Sequence, residues 1–196
     1  MKKHLLRFVH VTLLFISVNV AAQDFWTPAE KTGFGNSSNH AVKCMLPFKG
    51  FIYSGVGEDA GYVYRSATGS IGWWNNVFSS AFVTSVDAMA ATTEGAGYMY
   101  ISAYANGGDL PKVYRSEDGT TWTDVYDGFD RITHLVPFKG AGAVDSIYIF
   151  QYNTFGGMVL RMAYDNNDPA GADTVLDFEN TALPNMILIR NRAFTL

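Results

Sequence analysis

From Ala41 onward, apolar residues arrive in short runs divided by Gly, Asn, Asp and Ser, and several runs alternate, as in Val42, Cys44 and Leu46. Such runs, rich in β-branched and aromatic residues, predict many short strands. No window keeps apolar residues at i, i+3, i+4 and i+7 over three turns without a Gly or Pro interrupting it, so long helices are not expected. The predicted strands fall into three sets. The first is Val42–Pro47, Phe51–Val56, Gly61–Ser66 and Trp73–Phe78; the second is Ser85–Ala91, Tyr98–Tyr104, Lys112–Glu117 and Thr121–Tyr126. The third is Arg131–Pro137, Ser146–Tyr152, Met158–Ala163 and Thr174–Phe178, and a further apolar strand starts near Met186 at Ile187-Leu188-Ile189.

Internal repeats order these sets. Pro47-Phe48-Lys49-Gly50 recurs as Pro137-Phe138-Lys139-Gly140, and Val63-Tyr64-Arg65-Ser66 recurs as Val113-Tyr114-Arg115-Ser116. The first spacing is two repeats and the second is one, if a repeat is about 45 to 50 residues, the length of a four-stranded propeller blade. The expected fold is therefore all-β, a β-propeller of four-stranded antiparallel blades, with about three and a half blades present, an incomplete set. The units run at about 41–80, 84–128 and 131–180, with a partial one at 183–196 and a lead-in or closing strand at 23–40.

Between the third and fourth strands of the second unit the chain reads Ser116-Glu117-Asp118-Gly119-Thr120-Thr121-Trp122. This resembles an Asp-box, or BNR repeat, whose pattern is Ser-x-Asp-x-Gly-x-Thr-Trp, one residue longer between Asp and Trp. A degenerate version, Ser66, Gly69 and Trp73, lies in the first unit with Thr68 in the Asp position; the third keeps only Asp165, with Ala163 at the Ser position. The resemblance to Asp-box families, which include sialidases and photosystem assembly factors of the Ycf48 type, implies a structural role for Ser116, Asp118, Gly119, Thr121 and Trp122. An Asp in such a turn accepts backbone N–H bonds, Gly permits positive φ, and Trp covers the hairpin.

Charge and leader narrow the function. Lys2, Lys3 and Arg7 precede the apolar run Val11–Val18 and the small residues Ala21 and Ala22, the order of a secretory signal peptide ending at residue 22. No later segment is apolar enough to span a bilayer, so no membrane span is expected in the mature chain. The expected location is outside the cytoplasm: secreted, on the cell surface or in a periplasm. The formal net charge of −4 becomes more negative once those three basic residues are removed, which excludes a nucleic-acid binder. A single cysteine, Cys44, leaves the exported chain without an internal disulfide.

Candidate chemistry is sparse. A sialidase would carry an arginine cluster, a Tyr nucleophile with Glu, and a Phe/Tyr-Arg-Ile-Pro sequence; here the nearest match is Arg131-Ile132-Thr133. Arg65 and Arg115 occupy equivalent repeat positions and are expected to lay their guanidinium groups on Tyr64, Tyr114 or a Trp. Cys44 and His134 hold matching positions in the first strands, with Ala88 between them, but two ligands are no zinc shell. Asp165-Asn166-Asn167-Asp168 and Asp173 offer oxygen ligands for calcium without a defined loop spacing, and read more simply as a hairpin tip. Glu58-Asp59 and Asp109 have no assignable partner. In Trp73-Trp74 one ring must point away from the other. The expected function is thus an exported, non-catalytic propeller module without metal or cofactor, binding a protein or carbohydrate partner through loops at one face. The alternative is a sialidase-type glycosidase whose catalytic residues lie mostly outside this chain.

Overall fold

The strands form where short β-branched and aromatic runs meet glycine-containing turns. A computed structural model describes residues 32–93, 97–105, 109–139, 146–153 and 156–177. The expected signal peptide, residues 23–31 of the expected lead-in, and the expected partial unit at 183–196 lie outside the described residues. Among the described residues, twelve strands follow a single 3-10 turn, Gly33–Gly35. They are β1 (Ala41–Phe48), β2 (Phe51–Gly57), β3 (Tyr62–Ser66), β4 (Asn75–Ser79), β5 (Val83–Ala91), β6 (Met99–Ala105), β7 (Lys112–Ser116), β8 (Thr123–Asp127), β9 (Arg131–Phe138), β10 (Ser146–Asn153), β11 (Gly156–Ala163) and β12 (Ala172–Asp177). The described chain is all-β and antiparallel, with no α-helix among the described residues. β4 and β8 each begin two residues later than the apolar pattern predicts, because the preceding turns take those residues.

Consecutive strands pair as three meanders, β1–β4, β5–β8 and β9–β12. Their registers coincide. Tyr53 lies opposite Arg65, Tyr100 opposite Arg115, and Tyr148 opposite Arg161. Each first strand has a bulge at an equivalent place, putting Cys44 opposite Gly55, Ala88 opposite Ser102, and His134 opposite Phe150, and β5 has another between Val83 and Ser85. A second bulge recurs at Val63/Tyr64, Val113/Tyr114 and Val159/Leu160. The first two meanders share one eight-stranded sheet, joined through the single pair Gly57 and Ser85; the third meander is a separate four-stranded sheet.

What holds the meanders together is side-chain packing between their faces. Phe48, Tyr53, Val63 and Phe78 of the first pack against Val86, Met99, Ile101 and Ala103 of the second. Ala88, Ala90, Tyr100 and Val113 of the second pack against Ile132, Leu135, Ile149 and Leu160 of the third. The bulge at Asp87 makes this possible: an extra residue reverses the alternation, so Val86 faces the first meander whereas Ala88, two residues on, faces the third. The central meander is consequently apolar on both faces, and β6 is buried almost throughout.

Candidate functional site

The residues that resemble an Asp-box meet in the β7–β8 turn. Ser116 Oγ accepts the Gly119 N–H at 2.8 Å and donates to Asp118 Oδ1 at 3.0 Å. Asp118 Oδ1 also accepts the N–H groups of Thr120 (2.7 Å) and Thr121 (2.6 Å), while Oδ2 accepts the Thr121 hydroxyl at 2.9 Å. The Thr121 and Thr120 N–H groups hold the Asp118 carboxyl well below the usual carboxylate range. Gly119 sits at φ +74°, and an added Cβ would lie 2.0 Å from the Tyr53 hydroxyl oxygen. Trp122 donates its indole N–H to the Val77 carbonyl at 2.9 Å and meets Phe78 edge-on at 5.7 Å. The turn is thus closed upon itself and docked on the first meander.

Asp118→Ala removes acceptors that water can partly replace at this exposed turn, so a loss of about 1 kcal/mol is expected at neutral pH. The depressed carboxyl supplies that stability above the unfolded carboxylate pKa of about 4, and it is lost as pH falls through the lower folded value. Melting of parent and variant should therefore converge in strong acid. A gap that persists unchanged there would rule out the carboxylate as its source.

In the first meander Ser66 Oγ accepts the N–H groups of Gly69 (2.9 Å) and Thr68 (3.3 Å), and Gly69 sits at φ +72°. Thr68 replaces the Asp with one longer bond to Ser70 N–H, 3.3 Å. The register corrects the expectation for Trp73. Asn75 pairs with Arg65 as Thr123 pairs with Arg115, so Trp74, not Trp73, stands where Trp122 stands. Trp73 is 68% exposed, whereas Phe34 meets Trp74 edge-on at 5.1 Å and stacks on Tyr64 at 4.6 Å. Phe34 covers Tyr64 and Trp74 as Phe78 covers Tyr114 and Trp122. In the third meander Met162, opposite Ile147, holds the Ser position rather than Ala163.

The repeated arginines also differ from expectation. Arg65 lies over Phe51 and Arg115 over Tyr98, each 4.5 Å from the ring centre. Tyr64 and Tyr114 are chain neighbours of these arginines and point to the opposite sheet face, whereas Phe51 and Tyr98 are diagonal cross-strand neighbours. Arg115 reaches further, to the carbonyls of Tyr164 (3.1 Å) and Asn166 (3.0 Å) and to Asn167 Oδ1 (2.6 Å). The Tyr100 hydroxyl donates to the same Tyr164 carbonyl. These bonds fasten the 164–168 turn of the third meander to the second. Other polar groups of the Asp165–Asp173 stretch bond within it, Asn166 Oδ1 accepting Asp168 N–H and Asp168 Oδ1 accepting Ala170 N–H, while Asn166 Nδ2 donates to the Val125 carbonyl at 3.1 Å. Among the described residues no three His, Cys, Asp or Glu side chains are grouped to hold a metal.

Cys44 and His134 do not share a site. The Cys44 thiol is pushed up to about 12 by burial and by nearby Asp87, and donates to the Val86 carbonyl at 3.5 Å. His134 is exposed, edge-on to Phe150 and 3.0 Å from the Thr133 hydroxyl. Other charges are paired as struts. Arg131 makes two 2.8 Å bonds to Asp87 and lies over Tyr104, tying the third meander to the second. Glu58 meets Lys43 at 2.8 Å and Asp59 meets His40 at 3.6 Å; Lys112 bridges Asp124 and Asp127.

Two surfaces remain. A groove of about 830 Å³ beside the β7–β8 turn is lined by Arg65, Asn75, Asn76, Tyr114, Thr120 and Trp122 among others; no carboxylate, imidazole or thiol lines it, so it offers hydrogen bonds and ring faces. The other surface lies at the end of the meanders that carries residues 58–61, 80–82, 109–111 and 128–130. There Phe82 is 67% and Phe129 75% exposed, with Leu110 also exposed. Gly128 N–H bonds Pro111 O at 2.7 Å, which places Phe129 beside the connection that carries Leu110. Sequence reasoning missed both the Arg131–Asp87 strut and these exposed rings. The strut pairs residues remote in the chain and left no signal, whereas an apolar ring inside a Ser- or Gly-flanked connection was a readable one. No family model, curated protein or solved structure matches the chain.

Proposed function

We propose that this chain is an exported, non-catalytic module of the Asp-box β-propeller kind, each four-stranded meander being a blade, that binds a protein or carbohydrate partner through the connections at one end of the blades. Support for the architecture comes from three meanders with the same register and bulges, stacked face to face as blades are. Export rests on the basic, apolar and small-residue order of residues 1–22. The observation that carries the binding reading is the exposure of Phe82, Leu110 and Phe129 on loops held by rigid sheets. The non-catalytic reading is supported by the pairing of Arg131 with Asp87 and of Lys112 with Asp124 and Asp127, and by a groove that no carboxylate, imidazole or thiol lines.

The test is binding to immobilised neutral polysaccharides and to proteins of the exported fraction, with a fluorogenic sialoside as the assay for turnover. Phe82→Ser with Phe129→Ser should weaken whatever binding the parent shows by at least about tenfold, the scale of losing interface anchors of 1.4 kcal/mol or more. Both side chains are exposed, so melting should be unchanged. Hydrolysis of the sialoside, or binding indifferent to the double substitution, would overturn the reading.

A further inference from the structure

The arginines at equivalent places in the three meanders are used differently. Arg115 spends its guanidinium on the next meander, at the Tyr164 and Asn166 carbonyls and Asn167 Oδ1, and Arg161 pairs with Asp173 at 3.5 Å. Arg65 stacks on Phe51, and its N–H groups meet no acceptor among the described residues. The cause lies in the turn across from it. Asn166 stands four residues after Met162 as Thr120 stands four after Ser116, so the β7–β8 turn occupies the place that Arg115 grips one junction further on. That turn is already closed. Asp118 gathers the Thr120 and Thr121 N–H groups, and Lys49 Nζ takes the Glu117 carbonyl at 2.7 Å. Tyr53, the equivalent of Tyr100, likewise keeps a buried hydroxyl with no hydrogen-bond partner among the described residues. Where the second and third meanders are latched together, the first and second leave the groove of about 830 Å³, with Arg65 and Thr120 both lining it.

The groove is furnished with unused polar groups. Asn75 pairs with Arg65 across β4 and β3, so both side chains rise from one face of the sheet, and Asn76 and Ser79 are exposed on the same strand. The side chains of all three make no hydrogen bond with any described residue. Tyr114 and Trp122 add ring surface. A free fork of guanidinium donors matches a carboxylate, side-chain amides match hydroxyls, and rings match the C–H face of a sugar. An extended acidic peptide fits less well. Trp122 holds the Val77 carbonyl at 2.9 Å midway along β4, the last strand of its sheet, which denies that edge to a further strand. We propose that this groove binds a carboxylated saccharide, a hexuronate unit of an acidic polysaccharide, with Arg65 clasping the carboxylate and Asn75 and Asn76 bonding the hydroxyls. Its volume lies within the about 300–1,000 Å³ of small-ligand sites. It is a second site beside the surface of Phe82, Leu110 and Phe129, none of which lines it.

Calorimetric titration of the purified full chain at physiological ionic strength tests the site. The chain has a formal net charge of −4 and would repel a long polyanion, so the probe is a short one, tetragalacturonate, against a neutral galactose tetramer of the same length. The uronate should bind at least about tenfold more tightly than the neutral sugar, and Arg65→Gln should remove at least about that factor. Arg65→Lys, which keeps the charge but not the fork, should recover only part of it. Asn75→Ala should weaken binding about threefold, the scale of one hydrogen bond. Each substituted side chain lies at the groove surface, and melting curves will show that the variants fold. Phe82→Ser with Phe129→Ser should leave this titration unchanged, so that failure here and failure of the proposed function are told apart. No uronate binding at millimolar concentration, equal affinity for the neutral sugar, or indifference to Arg65→Gln would overturn the site. A tetraglutamate peptide binding as tightly as the uronate would overturn the saccharide as its ligand.

Discussion

Gly119→Ala is expected to cost about 3 kcal/mol or more, while Gly69→Ala, at the equivalent position of the first meander, should cost only about 1 kcal/mol. Both glycines sit near φ +73°, where a non-glycine residue pays about 1 to 2 kcal/mol. They differ in what an added methyl group meets. Nothing lies within 4 Å of the Gly69 position, but at Gly119 the methyl would press on the hydroxyl and ring of Tyr53, at 2.0 and 2.6 Å. Tyr53 is fully buried in the core between the first two meanders and cannot swing out, so the overpacking adds about 1 to 3 kcal/mol. Denaturant midpoints at unchanged m-value will measure both losses. Equal costs at the two glycines would mean that the β7–β8 turn does not rest on Tyr53.

Tyr100→Ala should be at least as damaging, about 3 to 5 kcal/mol, because it empties a fully buried aromatic site at the core between the second and third meanders. Tyr100→Phe separates packing from hydrogen bonding. It keeps the ring and deletes the hydroxyl, and the Tyr164 carbonyl still accepts from Arg115, so the loss should be about 1 kcal/mol. A Phe variant nearly as unstable as the Ala variant, again by denaturant midpoint, would shift the weight from the ring to the hydroxyl.

The strands were legible because each is a short apolar run closed by turn residues, and their grouping in fours followed from two recurring tetrapeptides. The turns were less so. From Ser66 to Trp74 the chain is longer than from Ser116 to Trp122, and the spacing of the motif selects Trp73, whereas the pairing of Asn75 with Arg65 puts Trp74 in the position of Trp122. Arg65 and Arg115 were recognised as repeat positions, yet the rings beneath them lie on the neighbouring strand, at a distance that only register sets. Phe48 and Phe138 sit in identical tetrapeptides and differ in exposure because of what lies across from them, a property of the assembly rather than of the local sequence. The Arg131–Asp87 strut joins two units and is invisible to any local pattern.

The way the units are joined also bears on how such a chain can change length in evolution. Only Gly57 and Ser85 link the first meander to the second through the backbone ladder, and no strand pairing links the second to the third among the described residues. A gene duplication or deletion that adds or removes one whole unit would interrupt at most one ladder pair and single loop bonds such as Gly61 N–H to Val83 O and Asp127 N–H to Pro169 O, while the new neighbours would meet across the same kind of apolar face. Repeat number is then a variable that selection can alter in whole steps, and the faces, not the ladders, determine whether the altered product still holds together.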